Sequence, residues 1–294
     1  MAEQKAGRRP IDRISGTETT GHEWDGIREL DTPLPRWWQW IFYASIVWSI
    51  GYWIAMPAWP TLTGYTKGLL GYSSRAEVEA DVRDARAAQG VLREKFAAAT
   101  LEQIRSDPGL LEFALAGGRS AFSVNCATCH GSGASGAVGY PNLNDDEWLW
   151  GGSLEQIAAT IRHGIRNDVD ANARASQMPA FVKDGVLTRA QAGDAASYVL
   201  SLAGKAHDTT GAVRGAEIFK EHCASCHGPS GAGNIEQGAP ALNNDIWLYG
   251  GDRDAILKTI ADSRRGVMPA WGKLLDDVTV KQLAVYIHSL GGGK

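Results

Sequence analysis

The chain has 294 residues, 44% hydrophobic and 21% charged, with a formal net charge of −4 at pH 7. That length allows two ordinary domains, or three small ones with linkers, and the composition is neither that of a disordered chain nor that of a polytopic membrane protein. A mildly acidic chain without a basic stripe also argues against nucleic acid as a partner.

Residues 1–36 read as a polar N-terminal tail, after which Trp37 to Met56 (WWQWIFYASIVWSIGYWIAM) is an uncharged run bounded by Arg36, Pro57 and Pro60. As a helix rising about 1.5 Å per residue it would be roughly 30 Å long, the thickness of a bilayer core, and Trp and Tyr crowd its ends as they do at membrane interfaces. This predicts one N-terminal transmembrane helix over residues 37–56. A cleaved signal peptide fits less well, because its apolar core would be shorter and followed by a small-residue cleavage site. Arg28 and Arg36 on one flank are matched by Lys67 and Arg75 on the other, so flanking charge leaves the orientation open. Residues 57–109 follow as a helical connector, solvated and punctuated by Gly90 and Pro108.

Beyond the connector the sequence repeats. GRSAFSVNCATCH (118–130) matches GAEIFKEHCASCH (215–227), NLNDDEWLWGG (142–152) matches ALNNDIWLYGG (241–251), and QMPAF (177–181) matches VMPAW (267–271). Each copy closes on a similar tail, SYVLSLAG (197–204) and VYIHSLGG (285–292). The copies predict two similar domains, at 110–205 and 208–294.

The Cys-x-x-Cys-His pentads carry the chemistry. Two thiols three apart on a helical turn can each add to a vinyl group of haem, and the next residue, His, then faces the iron as an axial ligand. Cys126, Cys129 and His130 form one such set; Cys223, Cys226 and His227 form the other, and all four cysteines are used. Zinc ribbons place their pairs about fifteen to twenty residues apart, whereas 93 residues lie between Cys129 and Cys223. A thioredoxin-like redox pair would need a βαβ context that these glycine-rich helical surroundings lack. Two covalently bound haem c groups are therefore expected. Covalent haem attachment takes place outside the bacterial cytoplasmic membrane, which would place the domains in the periplasm and the N-terminus in the cytoplasm.

A low-spin haem iron needs a second axial ligand, and thioether sulfur suits an electron-transfer site. Met178 and Met268 are the only methionines beyond the N-terminal region, one per repeat, each followed by Pro. They are the candidate axial ligands; as interchangeable core filler they would not recur alone in the same phrase. Pro141 and Pro240 are placed to offer a carbonyl to the proximal histidine, or else are ordinary loop prolines. Trp148 and Trp247 would cover haem edges or fill the core. His163, His207, His222 and His288 have no matched repeat partner and read as surface or satisfied residues.

The pentads with their downstream Met-Pro resemble class I cytochrome c domains. In that fold the helix bearing Gly118 and Phe122, or Gly215 and Phe219, crosses a C-terminal helix bearing an aromatic, here Tyr198 and Tyr286. With the Trp-rich anchor, the charged connector and the W-L-[WY]-G-G phrases, the arrangement resembles the dihaem subunit III of cbb3-type cytochrome c oxidases, the CcoP/FixP family. The fold class this implies is mainly α, one transmembrane helix followed by two class I cytochrome c domains. The resemblance implies a non-catalytic electron-entry subunit of the bacterial inner membrane. It would take electrons from a periplasmic donor and pass them to a monohaem cytochrome c subunit and on to a haem–copper catalytic subunit. The alternative is a free membrane-tethered dihaem shuttle. Either methionine pairing gives His/Met irons. The resemblance implies a crossed one, Met178 with the second haem and Met268 with the first. Geometry favours pairing within each repeat, since crossing requires the domains to interleave.

Overall fold

The computed structural model describes residues 9–291; the first eight residues of the expected tail and the last three of the expected second domain lie outside the described residues. The chain divides into two compact units, residues 1–87 and 88–294.

In the first unit the expected tail contains a hairpin. Strands β1 (Thr19–Trp24) and β2 (Ile27–Leu30) pair antiparallel, with Trp24 opposite Ile27. Asp25 and Gly26 turn between them with positive φ, the Asp-Gly signature of a tight hairpin turn, and that dipeptide was the available signal. Helix α1 (Arg36–Ala55) then forms over the Trp-rich run, with Pro35 preceding it and no buried residue along its length. Among the described residues no helix is long and apolar enough to cross a membrane. In α1 the five tryptophans and two tyrosines hold the mean hydropathy down. Helix α2 (Ser74–Ala88) is polar, with no buried residue.

In the second unit, side chains of Thr, Ser and Asp mark the starts of most helices. Thr100 and Ser153 form capping boxes at α4 (Leu101–Ser106) and α7 (Leu154–His163), and Thr188 does so at α8 (Arg189–Leu202). Asp107, Asp208, Asp252 and Asp276 accept backbone N–H bonds at α5 (Pro108–Asn125), α9 (Thr209–His222), α11 (Arg253–Asp262) and α12 (Asp277–His288). Each such cap satisfies an N–H that would otherwise be orphaned. Along α5 the buried residues Leu110, Ala114, Gly118 and Phe122 recur every four positions, which defines one face. The short helices α6 (Ala127–His130) and α10 (Ala224–His227) carry the haem pentads.

The connector is more than a solvated link. Phe96, on α3 (Gly90–Ala98), and Ile104 are fully buried in a cluster with Leu110, Ala114, Leu154, Val278 and Val285.

The helix pairing runs across the repeats. Helix α5 packs on α12 and α8 packs on α9. Gly118 lies so close to α12 that a Cβ there would sit 2.4 Å from the Gln282 carbonyl oxygen and 2.5 Å from Tyr286 Cβ. Gly215 meets α8 likewise, 2.1 Å from the Asp194 carbonyl oxygen. Phe122 lies 5.7 Å from Tyr286, and Phe219 5.2 Å from Tyr198, ring centre to ring centre. Two lobes result. One contains α5, α6, α7 and α12; the other contains α8 to α11 in an unbroken stretch of chain. The expectation that each repeat closes on its own C-terminal helix therefore does not match the packing. The physical reason is local: only six residues, 203–208, join α8 to α9, and a short connection favours packing the two helices it joins side by side. Arg214 reinforces the pair with two bonds to the Asp194 carboxylate at 2.7 and 2.6 Å.

This topology makes a test by dissection. A fragment spanning residues 172–266, expressed with periplasmic haem attachment, should give a soluble lobe that melts cooperatively by circular dichroism. A fragment of residues 208–294 should not, because α9 would lack α8 and α12 would lack α5. Cooperative melting of the second fragment alone would contradict the interleaved packing.

Candidate haem sites

Both pentads fold alike. The N–H of Cys126 bonds the Phe122 carbonyl at 2.9 Å, and those of Cys129 and His130 bond Cys126 at 3.1 and 2.9 Å. In the second copy Cys223 bonds Phe219 at 2.8 Å, and Cys226 and His227 bond Cys223 at 3.1 and 3.0 Å. This single turn presents both thiols of a pair and the histidine from one short segment. Cys126 is buried, Cys129 exposed, and Cys223 and Cys226 half-buried; none forms a disulfide. Burial, with a smaller contribution from the neighbouring cysteine, pushes the Cys126 and Cys223 thiols up to about 11. Among the described residues no group of three His, Cys, Asp or Glu side chains could hold a metal ion, so the two pairs do not converge as a ribbon site requires.

The histidines are fixed by the two prolines. His130 Nδ1 lies 3.0 Å from the Pro141 carbonyl oxygen, and His227 Nδ1 lies 2.9 Å from that of Pro240. A carbonyl can only accept, so Nδ1–H donates and Nε2 keeps its lone pair free for iron. Burial lowers the pKa of His227 and so favours the neutral ring, and the Pro240 bond offsets this in part. Pro141 and Pro240 are therefore histidine-orienting residues.

Each methionine packs in the lobe of the other repeat's pentad. Met178 packs in the cluster of Phe181, Val199, Phe219 and Cys223, and with His227, Pro240 and Trp247 it lines one cavity. Met268 packs in the cluster of Phe122, Cys126, Ile157 and Leu283. This placement runs against the within-repeat pairing favoured on geometry, because the helix that follows each methionine packs in the lobe of the other repeat's pentad. The segments bearing the methionines cross between the lobes, and they touch where Ile165 and Met268 exchange backbone hydrogen bonds at 3.0 and 2.9 Å.

Trp148 packs in the first lobe and Trp247 in the second. The Trp247 indole Nε1 is buried without a partner among the described residues, as a donor reserved for a haem propionate would be. His163 bonds Asp170 at 2.9 Å and His207 bonds the Lys205 carbonyl at 2.7 Å, as satisfied histidines do. His222 instead lines the Met178 cavity, and His288 Nε2 is buried without a partner among the described residues. Sequence reasoning missed Arg174 and Arg264, which stack on Trp150 and Tyr249. The available signal was an arginine four positions before each methionine.

These paired sites match known proteins over nearly the whole chain. The family described as cytochrome c oxidase, cbb3-type, subunit III matches residues 113–199 and 211–287, and the N-terminal domain of cytochrome oxidase-cbb3, FixP, matches residues 16–63. The chain belongs to the cbb3-type oxidase subunit III family. Cbb3-type cytochrome c oxidase subunit FixPc of Rhizobium leguminosarum bv. viciae is 55% identical over 283 residues, covering 96% of this chain and 98% of the relative. Subunit FixP of Bradyrhizobium sp. (strain ORS 278) is 53% identical over 285 residues, covering 97% and 98%. Subunit CcoP of Azospirillum brasilense is 51% identical over 290 residues, covering 96% and 98%. This subunit III is a c-type cytochrome electron-transfer subunit with two cytochrome c domains, and its two Cys-x-x-Cys pairs suit two haem c groups.

A Cβ at Gly233 would lie 2.7 Å from the Ala239 carbonyl oxygen and 2.9 Å from the Pro240 carbonyl carbon. Gly233→Ala should therefore push the Pro240 carbonyl away from His227. Weaker donation from Nδ1 makes the imidazole a poorer electron donor to ferric iron, so the midpoint potential of that haem should rise. A redox titration showing a fall, or an equal change at both haems, would contradict this assignment.

Proposed function

We propose that the chain is the dihaem electron-entry subunit of its oxidase, with haem c bound covalently at Cys126/Cys129 and at Cys223/Cys226. The ligands would pair across the repeats, His130 with Met268 and His227 with Met178. The observation that carries this reading is the pair of pentad helices, each with its histidine held by a proline carbonyl in the same lobe as the other repeat's methionine. Each haem supplies a reversible one-electron iron couple. The chain's own residues orient Nε2, offer thioether sulfur and wall the ring with Phe, Leu and Ile. A site with both axial positions filled has no place for dioxygen, so this subunit is non-catalytic. It passes electrons from a periplasmic donor to the monohaem cytochrome c subunit and the haem–copper catalytic subunit.

The anchor in this reading is α1. It carries no charged residue after Arg36 and buries none of its side chains, and a helix that is apolar all round needs an apolar surrounding. Its tryptophans and tyrosines count as polar on hydropathy scales yet favour the membrane interface. The haem lobes would then lie in the periplasm, with the N-terminus in the cytoplasm, as a single-pass protein of the bacterial inner membrane. A free tethered shuttle would share these sites but not an obligate complex.

Haem should stay with the denatured chain on SDS gels, and Cys126→Ala with Cys129→Ala should remove one of two haems. Acid–acetone extraction of all haem from the unaltered protein would overturn covalent attachment. In mild detergent the subunit should co-elute with oxygen-consuming activity; elution free of it would favour the shuttle. Replacing residues 1–60 by a cleavable signal should release a soluble dihaem protein, and retention in alkaline-washed membranes would rule out α1 as sole anchor.

A further inference from the structure

We propose that Trp150 and Tyr249 are reciprocal positioning residues, each clamping both ligand-bearing loops of the haem attached in the other repeat. The proposal rests on the crossed ligation above. The two residues occupy the same place in the W-L-[WY]-G-G phrases, and each makes the same pair of contacts.

One contact is with a glycine. Gly238 lies two residues before Pro240, whose carbonyl holds His227; it has φ +59°, and a Cβ there would sit 2.2 Å from the Trp150 ring. Gly139 lies two residues before Pro141, whose carbonyl holds His130; it has φ +88°, and a Cβ would sit 3.2 Å from the Tyr249 ring. Gly139 also donates its N–H to the Leu248 carbonyl at 2.8 Å. Only a bare backbone with φ in this range lets the ring lie against the loop at the tighter position.

The second contact is with an arginine. The Arg174 guanidinium lies 5.0 Å from the centre of the Trp150 ring, and that of Arg264 lies 4.8 Å from the centre of the Tyr249 ring. Both distances suit a cation over an aromatic face. Arg174 precedes Met178 by four residues and Arg264 precedes Met268 by four. Arg264 is fixed further by bonds to the Ala255 and Tyr249 carbonyls at 2.6 and 3.1 Å. Trp150 thus joins the proximal loop of the His227 haem to the strap bearing Met178, and Tyr249 does the same for His130 and Met268. Tyr249 meanwhile lines the cavity of Met178 and His227, so a ring walling one haem site holds the ligands of the other. Filler aromatic packing would need neither the shared arginine offset nor the crossed assignment.

The test uses the whole oxidase complex in mild detergent, with redox titration and the near-infrared sulfur-to-iron charge-transfer band as readouts. Met178→His and Met268→His assign the band to each haem. Trp150→Leu should weaken the band and lower the potential of the His227 haem alone; Tyr249→Leu should do so for the His130 haem alone, while Tyr249→Phe, which keeps the ring, stays near the unaltered protein. Should the Trp150→Leu complex not assemble, Arg174→Leu decides by the same criterion. If Met178→His removes the band of the His130 haem, the crossed ligation is overturned and the clamp with it. If Met178→His acts on the His227 haem but Trp150→Leu, or its substitute, changes the His130 haem, both haems equally, or neither, the clamp alone falls.

Discussion

The contact on which the rest of the molecule depends is the close helix crossing at Gly118 and Gly215. With no side chain at either position, α5 can settle against the backbone of α12, and α9 against that of α8. Any larger residue would push each pair apart, since interiors are packed too tightly to absorb a methyl group without movement. The crossing locks together the helices that share a lobe, a partnership that the short α8–α9 link selects. The same partnership carries Met178, which leads into α8, into the lobe of the second pentad, and Met268, which leads into α12, into the lobe of the first.

Within each lobe a different constraint sets the chemistry. The pentad helix supplies thiols and imidazole from one turn, but the tautomer is chosen by the loop that follows it. The carbonyls of Pro141 and Pro240 accept from Nδ1 at 3.0 and 2.9 Å, and a proline, having no N–H of its own, holds its loop with a fixed φ. Ligand strength at an iron held by these histidines would thereby be set by backbone geometry outside the ligand itself. Burial disfavours the protonated ring at His227, an effect that the Pro240 bond partly offsets.

The haem-attachment residues were legible in the sequence because their chemistry is local: Cys126 to His130 and Cys223 to His227 each lie within five residues, and the paired methionine phrases repeat in register. Helix boundaries within the two domains were not read from the sequence, although Asp107, Ser153 and Thr188 sit at the caps their chemistry favours. What could not be read was long-range. A repeat shows that two segments are alike, and two like helices compete for one partner; the six-residue link from α8 to α9 settles that competition, and length alone carries no motif. The burial of Phe96 and Ile104 was hidden similarly, because a sparse apolar series in a charged stretch gives no sign of the surface that will cover it. Trp150 and Tyr249 drew no reading beyond their W-L-[WY]-G-G phrases, since the glycines they press on belong to the other repeat.

Met178 follows His130 by 48 residues but Met268 follows His227 by only 41, and the same topology explains the difference. Met178 lies 15 residues beyond the end of α7, at His163, whereas Met268 lies six beyond the end of α11, at Asp262. Both segments must leave the lobe of the preceding helix and reach the other one. The shorter does so in six residues, its Met268 N–H bonding the Ile165 carbonyl at 2.9 Å. The longer folds back on itself: Arg166 N–H bonds the Arg174 carbonyl at 2.7 Å, and Asp170 turns in to meet His163. The additional residues thus form a local loop at the crossing, and the strap resumes only at Arg174, four residues before its methionine, as at Arg264. Measured from the arginines instead of the histidines, the two straps are the same length. The part of each repeat that serves the metal is uniform, and the irregular part serves the crossing.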